Sequence, residues 1–379
     1  CPSWFLPLRY RRGVDGTGPP TDPLALGQRV VAVLETGART ATYKLAVLSA
    51  LVGFCVEHLP ADPAAALDVP IDALAERVID LYWPQVRPFD GHRLRQSSQP
   101  RARILTAVEA LRGAVNADGV AGLSRARSRK PDLYRETVAE VALTLAQQPL
   151  YRLQRVPGGR GEPFLYDDSW LHSGITRAAI VRHGGAIRLF PGVAAALARL
   201  SGLLTPTLEI LWVQDVRRYN AFLDVPDIAG HLFGRERVSL TKPRVALREA
   251  FGATCFYCAA ILSEGSPVDH VLPWSRVPLD GLANLVLACG RCNTDKRDSL
   301  PALAHTERAL SRDRVVLEQL AADIGWPTQY DRTLAAARGL YRSSPAGTPT
   351  WQSRSRTGTW DTVFPPGWVV SAVPETGYA

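Results

Sequence analysis

The chain has 379 residues, 46% of them hydrophobic and 21% charged, which is enough apolar material for two or three ordinary domains and too much for intrinsic disorder. Its longest nearly unbroken apolar run, Leu45 to Val56, already contains Ser49 and falls short of the roughly 20 residues a bilayer span needs, so no membrane partner is expected. The formal charge of +8 rests almost wholly on arginine, only Lys44, Lys130, Lys242 and Lys296 being lysine; it suits a polyanion partner, although a GC-rich genome also yields arginine, alanine and glycine. The opening Cys1-Pro-Ser-Trp-Phe-Leu-Pro lacks the charged-then-apolar layout of a secretory signal, so no export is indicated and a cytoplasmic setting is expected.

Aliphatic residues at three-and-four spacing predict helices over Pro23 to Glu35, Thr42 to His58, Ile71 to Tyr82, Arg103 to Val115 and Pro131 to Gln147, making residues 1–150 a helical domain. Tyr151 to Val156 and Phe164 to Asp168 flank the turn-forming Pro157-Gly-Gly-Arg-Gly-Glu-Pro163 and read as two strands of a hairpin. That glycine cluster lacks the Lys and Ser/Thr of a phosphate loop. Two helices over Val193 to Leu204 and Leu208 to Phe222 follow, so 151–240 is expected to continue the helical domain. Pro243 to Phe251 reads as a short helix opened by a proline at its first position and ended by Gly252. After a cysteine-bearing module at 241–305, a C-terminal helical part is expected at 306–342, with helices at roughly Leu303 to Ile324 and Tyr330 to Tyr341, and the Ser/Thr/Pro/Gly-rich 343–379 reads as an extended tail.

Four of the six cysteines fall in two knuckles, Cys255-Phe-Tyr-Cys258 and Cys289-Gly-Arg-Cys292. Each C-x-x-C turn lets two thiolates reach one ion, and two turns supply the four soft ligands of a tetrahedral structural zinc. A redox dithiol would not need two copies, and paired disulfides conflict with the lack of an export signal. The 30 residues from 259 to 288 exceed the spacer of a plain zinc ribbon and hold Val268-Asp269-His270-Val271-Leu272-Pro273 and Asn284-Leu-Val-Leu-Ala288. Val268 to Val271 and Leu285 to Ala288 look like short strands, and a helix begun by Asn293, a good capping type, is expected after Cys292.

Cys-x-x-Cys, Asp269-His270, Asn284-Leu285 and Cys-x-x-Cys-Asn293-x-x-Lys296 occur in the order that resembles the HNH endonuclease superfamily, with its ββα-metal fold, in the variant whose final histidine is asparagine. The resemblance covers about residues 250 to 300. It implies a metal-dependent nuclease acting on DNA, with His270 as general base, Asp269 and Asn293 on a catalytic Mg²⁺ or Mn²⁺, and Asn284 fixing the loop that orients the base. The residues independently suit that chemistry: an imidazole titrates near neutrality and can take a proton from water, while Asp and Asn offer the hard oxygen ligands that Mg²⁺ or Mn²⁺ prefers. Lys296 or Arg297 is expected to touch a phosphate.

The expected architecture is therefore mainly α with a small α+β module: an N-terminal helical domain, a zinc-stapled ββα-metal nuclease module, and C-terminal helices. Arg125, Arg127, Arg129 and Lys130 form a basic segment whose arginines, in an extended chain, share one face suited to a phosphate backbone. Arg93, Arg95, Arg101 and Arg103 flank a second basic loop, and the tail mixes Trp351, Trp360, Phe364 and Trp368 with Arg354 and Arg356, aromatics expected to lie across the chain's own domain. The leading function is a DNA endonuclease of bacterial restriction or phage defence, with a homodimer implied by the resemblance if both strands are cut. The alternative is a zinc-stabilised nucleic-acid-binding module without catalysis.

Overall fold

The computed structural model describes residues 22–36, 40–89, 91–99, 102–115, 123–155, 162–221, 228–233, 240–362 and 365–370. The first part is helical: α1 (Pro23–Thr36), α2 (Tyr43–Glu57), β1 (Leu67–Pro70), α3 (Ile71–Tyr82), α4 (Arg103–Val115), α5 (Leu123–Arg129) and α6 (Pro131–Leu145), the last running into a π turn at Ala146–Leu150. Then come α7 (Arg177–Arg182), β2 (Ala186–Leu189), α8 (Val193–Tyr219), α9 (Ile228–Leu232) and α10 (Thr241–Phe251). Helix α2 is apolar on every side, and 11 of its 15 residues are buried. It therefore occupies the centre, with α8, α3 and α14 (Tyr330–Ser343) packed around it.

Several expectations from the sequence are corrected by the structure. The Tyr151–Val156 strand does not form, because the chain from Leu150 leaves the π turn as further helical turns, and Gln154 takes the place of a strand partner. Its Oε1 accepts from the backbone N–H groups of Phe164 and Leu165 at 2.8 and 2.6 Å, and its Nε2 donates to Tyr166 O. The glycine-rich turn itself lies largely outside the described residues. The real pairing partner of this region is distant: β1 runs antiparallel to β2, Leu67 opposite Leu189, and Tyr166 adds a bridge to Leu189.

The two helices predicted between 193 and 222 are one, α8, which runs through Pro206. A proline inside a helix removes an N–H and crowds the carbonyl four residues back. Both Pro206 and that residue, Gly202, face solvent, where water can satisfy the displaced carbonyl. By length and composition alone α8 could cross a membrane, but half of its most apolar window is buried against the rest of the protein. In α10, Pro243 is the third residue rather than the first, while Gly252 ends the helix as expected with φ 81°.

The basic segment 125–130 is not extended. Residues 123–129 form α5, in which alternate residues diverge by about 200° and cannot share a face. Arg127 pairs with Glu76 at 3.1 Å and lies over Tyr134, while Arg129 and Lys130 are exposed. In the other basic loop Arg93 pairs with Glu109 and Arg103 donates to Gln147; Arg101 lies outside the described residues.

The module follows as β3 (Val268–His270), a 3₁₀ turn (Leu282–Asn284), β4 (Leu285–Leu287), α11 (Gly290–Lys296) and β5 (Leu300–Pro301). Helices α12 (Leu303–Leu310), α13 (Arg314–Ile324, capped by Asp313) and α14 come next. The tail is not simply extended: β6 (Pro349–Ser353) and β7 (Arg356–Thr359) form a hairpin whose β6 runs parallel to β5, and α15 (Gly367–Val370) packs on α14. Trp351 and Trp360 are buried within the protein, and Phe364 lies outside the described residues. Helix α14 returns the chain to the helical core so closely that a Cβ at Gly339 would meet Val56 O at 1.6 Å. Only glycine permits that crossing.

Candidate active site and zinc clasp

Strands β3 and β4 pair antiparallel, Asp269 opposite Val286 and His270 opposite Leu285, and α11 completes a ββα unit. The four predicted cysteine sulfurs, from Cys255, Cys258, Cys289 and Cys292, lie within 4.8 Å of one another. Zinc bonded to sulfur at about 2.3 Å places tetrahedral sulfurs about 3.8 Å apart. Cys258 Sγ and Cys289 Sγ are separated by 3.8 Å, far beyond a disulfide bond, so the donor set fits a tetrathiolate ion site. Backbone N–H groups of Cys289 and Cys292 point at the sulfurs of Cys255 and Cys289, at 3.2 and 3.4 Å. Burial pushes the thiols of Cys255 and Cys292 up. For Cys289 burial is outweighed by hydrogen bonds from the Cys292 N–H and the neighbouring thiols, which bring it to about 7.

The cap of α11 is Cys289, not Asn293. Its sulfur accepts from the Cys292 N–H, so one knuckle both presents metal ligands and starts the helix. Asn293 is the fourth helical residue and half-buried. Its amide makes no side-chain hydrogen bond among the described residues, which leaves its oxygen available.

His270 is buried on β3, and its Nε2 lies 2.7 Å from Asp280 Oδ1. Asp280 sits in the loop between the strands and was not picked out by sequence reasoning; an acid in Leu279-Asp280-Gly281 has no local signature. Asn284 is fully buried and builds that loop: its Oδ1 accepts from Leu272 N at 2.8 Å, and its Nδ2 donates to the carbonyls of Leu272 and Leu279. Arg312 pins the other side by donating to the carbonyls of Leu282, Ala283 and Leu285, and burial lowers its guanidinium to about 10. Trp326 Nε1 donates to Asp280 O at 2.6 Å, while Leu282 N and Ala283 N donate to Pro327 O and Thr328 O.

Asp269 directs Oδ2 to Tyr257 Oη at 2.6 Å and to Lys296 Nζ at 3.1 Å. Burial, then the Asp269 charge, pushes the Tyr257 hydroxyl well above its ordinary range, so it stays a donor. Lys296 is fully buried and also donates to His270 O at 2.7 Å. The expectation that it touches a phosphate is therefore corrected: a buried ammonium needs a counterion, and Asp269 is that ion. Arg297 is exposed, with φ 48°, and is held by the carbonyl of Thr294. Of the distant basic residues expected at a phosphate, Arg127 is tied to Glu76, Arg129 and Lys130 are exposed on the helical region, and the side chain of Arg125 lies outside the described atoms.

His305 packs edge-on against Tyr257 and beside Trp351. Burial lowers its pKa. Among the described residues no other cluster of three His, Cys, Asp or Glu side chains could share a metal.

A family model described as HNH endonuclease matches residues 257–302, the span of this module. A second, described as a domain of unknown function, DUF8808, matches residues 24–230, more than half of the chain. No curated protein and no solved structure matches.

Proposed function

The chain belongs to the DUF8808 family, and from that premise, with an HNH module fused to the family domain, we propose a metal-dependent endonuclease that hydrolyses DNA phosphodiester bonds. The observation that supports it best is the His270–Asp280 pair at 2.7 Å beside Asp269 on the same strand. A carboxylate at Nε2 favours the tautomer with its proton on Nε2 and the lone pair on Nδ1. Nδ1 has no hydrogen-bond partner among the described residues, so it can accept a proton from an attacking water. Asp280 then steadies the imidazolium.

Asp269 Oδ1 and the Asn293 amide oxygen are the donors left for a hard cation, Asn293 standing where the superfamily has its final histidine. Two protein oxygens completed by substrate phosphate and water suit Mg²⁺ or Mn²⁺, which would neutralise charge building on the phosphate and the departing oxygen. Lys296 holds Asp269 from behind, and Asn284 positions the loop bearing Asp280. Arg297 reaches outward toward the backbone of the nucleic acid.

In this reading the helical domain, 1–150 continued by 151–240, serves recognition or regulation, the module at 241–305 cuts, and the parts at 306–342 and 343–379 join the two. The setting is bacterial restriction or phage defence in the cytoplasm, and cleavage of both strands takes a homodimer. One observation favours the non-catalytic alternative of a zinc-stabilised binding module: Asp269 already shares Oδ2 between Tyr257 and Lys296.

Supercoiled plasmid incubated with Mg²⁺ or Mn²⁺ separates the two. The unmodified protein is expected to nick or linearise it, His270→Ala to lose on the order of 10²–10⁴ in rate, and Asp280→Asn to lose less while changing the pH profile. Equal cutting by His270→Ala removes the proposed base, and binding without cutting by the unmodified protein establishes the alternative.

A further inference from the structure

The β6–β7 hairpin is anchored to the nuclease module itself. Trp351 Nε1 donates to Asp295 Oδ2 on α11 at 2.7 Å, Ala302 N donates to Trp351 O, and His305 Nε2 lies 2.6 Å from Gln352 O. Ser353 pairs with Arg356, so Arg354-Ser355 is a two-residue turn. Ser355 has φ 58°, a left-handed conformation usually left to glycine or asparagine. The same Asp295 carboxylate accepts from Ser355 N at 3.3 Å and holds the turn there. A strained turn clamped by a neighbouring element is a fixed presentation rather than a loose loop end.

What it presents is positive charge. Arg354 and Arg356 are exposed, and neither makes an ion pair or side-chain hydrogen bond among the described residues. The one acid of α11, Asp295, accepts from the indole and the turn backbone rather than from either guanidinium. A groove of about 280 Å³ lies between the turn and the first zinc knuckle, lined by Arg354, Ser355, Tyr257, Cys258 and Cys292. Tyr257 lines it and hydrogen-bonds Asp269, so one side chain lies between the groove and the proposed reaction centre.

We propose that this hairpin is a DNA-binding wing, with Arg354 and Arg356 taking backbone phosphates that flank the scissile bond. The proposal rests on the endonuclease reading and adds to it a surface built from the chain's own C-terminal segment.

The test is binding of a labelled DNA duplex to the zinc-loaded full chain across a salt series. Each lost phosphate contact lowers the slope of log K against log salt by about 0.9, so the R354S/R356S variant is expected to lose about 1.8 in slope. Its concentration for half-maximal plasmid cleavage should rise about tenfold or more. R177S/R182S, which removes the same charge from α7, should keep the wild-type slope. An unchanged slope in R354S/R356S overturns the wing, as does an equal loss in the α7 control, which would assign the effect to net charge. Loss of zinc from R354S/R356S also overturns it by assigning Arg354 to the thiolate cluster. Failure of the endonuclease reading shows separately, in unmodified protein that does not cut.

Discussion

The helical region and the HNH-type module solve the same problem with different materials. The first surrounds a predominantly apolar helix, α2, with a continuous core reaching from Leu26 to Val369. The second lends Leu272, Val277, Leu279 and Leu300 to that core, has beyond them a small cluster around Leu247, Leu262, Leu285 and Leu317, and fixes itself by four cysteines and by side chains that bond to loop backbone: Asn284, Arg312, Trp326 and Lys296. Burial tolerates many sequences of the right pattern, whereas ligation and polar clamps demand particular residues at particular places. The two regions should therefore fail separately and for different reasons.

The largest separation should come from removing the metal. Ligation of a structural zinc by four thiolates is worth roughly 10–16 kcal/mol in small domains, where binding and folding are one event. A strong chelator is expected to abolish cleavage and the hydrogen-exchange protection of β3, β4 and α11, while amides of α2 and α8 stay protected. Loss of protection in α2 at the same chelator concentration would show that the regions form one cooperative unit.

An ion cluster forms the seam between the helical region and α14, a helix that follows the module. Glu57 at the end of α2 is buried and receives Arg77 from α3, with contacts of 3.0 and 2.6 Å, and Arg332 from α14 at 3.2 Å. Burial alone would raise its pKa, but the two guanidiniums outweigh that and bring it from 4.5 to about 2. A carboxyl depressed on folding stabilises the native state fully above its unfolded value, so this contribution is complete above about 4.5 and disappears as pH falls toward 2. The shift corresponds to about 3 kcal/mol. Glu57→Gln should cost a similar amount at pH 7, about 3–5 kcal/mol for two guanidiniums left unneutralised, and should flatten the acid limb of a denaturation series. An acid limb as steep as that of the unmodified protein would remove Glu57 from the seam.

A cavity tests the helical side alone. Leu51 is wholly buried in α2, and Leu51→Ala is expected to cost about 2–5 kcal/mol of stability. Zinc content should remain at one ion per chain. Loss of metal from this variant would mean that the module borrows its stability from the core.

The same contrast decides what could be read from the sequence. Helices α1 to α4 and α6 were legible because a buried face imposes a 3.6-residue period, and the clustering of the four cysteines because two C-x-x-C turns fix residue type and spacing. The β1–β2 pair was invisible, since its strands are four residues each and more than a hundred residues apart. The Arg354-Ser355 turn lacks the glycine or asparagine that marks a tight hairpin, its conformation being held by Asp295 instead. Asp280, Tyr257 and Trp326 escaped because each acts through one contact that only tertiary placement creates.

Trp326 offers the smallest and most discriminating effect. Its indole donates to Asp280 O at 2.6 Å, beside the two backbone hydrogen bonds that zip 282–283 to 327–328. At Gly281 an added Cβ would lie 2.5 Å from Thr328 O. That strut continues directly into α14, so the helical region reaches the loop that carries the acid paired with His270. Trp326→Phe removes one hydrogen bond, worth about 1 kcal/mol, and keeps most of the apolar ring. With Asp280 under that control, cleavage should fall about fivefold and its pH profile should move, because the imidazole loses part of its orientation. Zinc content and the acid limb set by Glu57 should not change. A lower melting temperature with an unaltered pH profile would instead make Trp326 an ordinary packing residue, and the strut between the two regions a matter of stability alone.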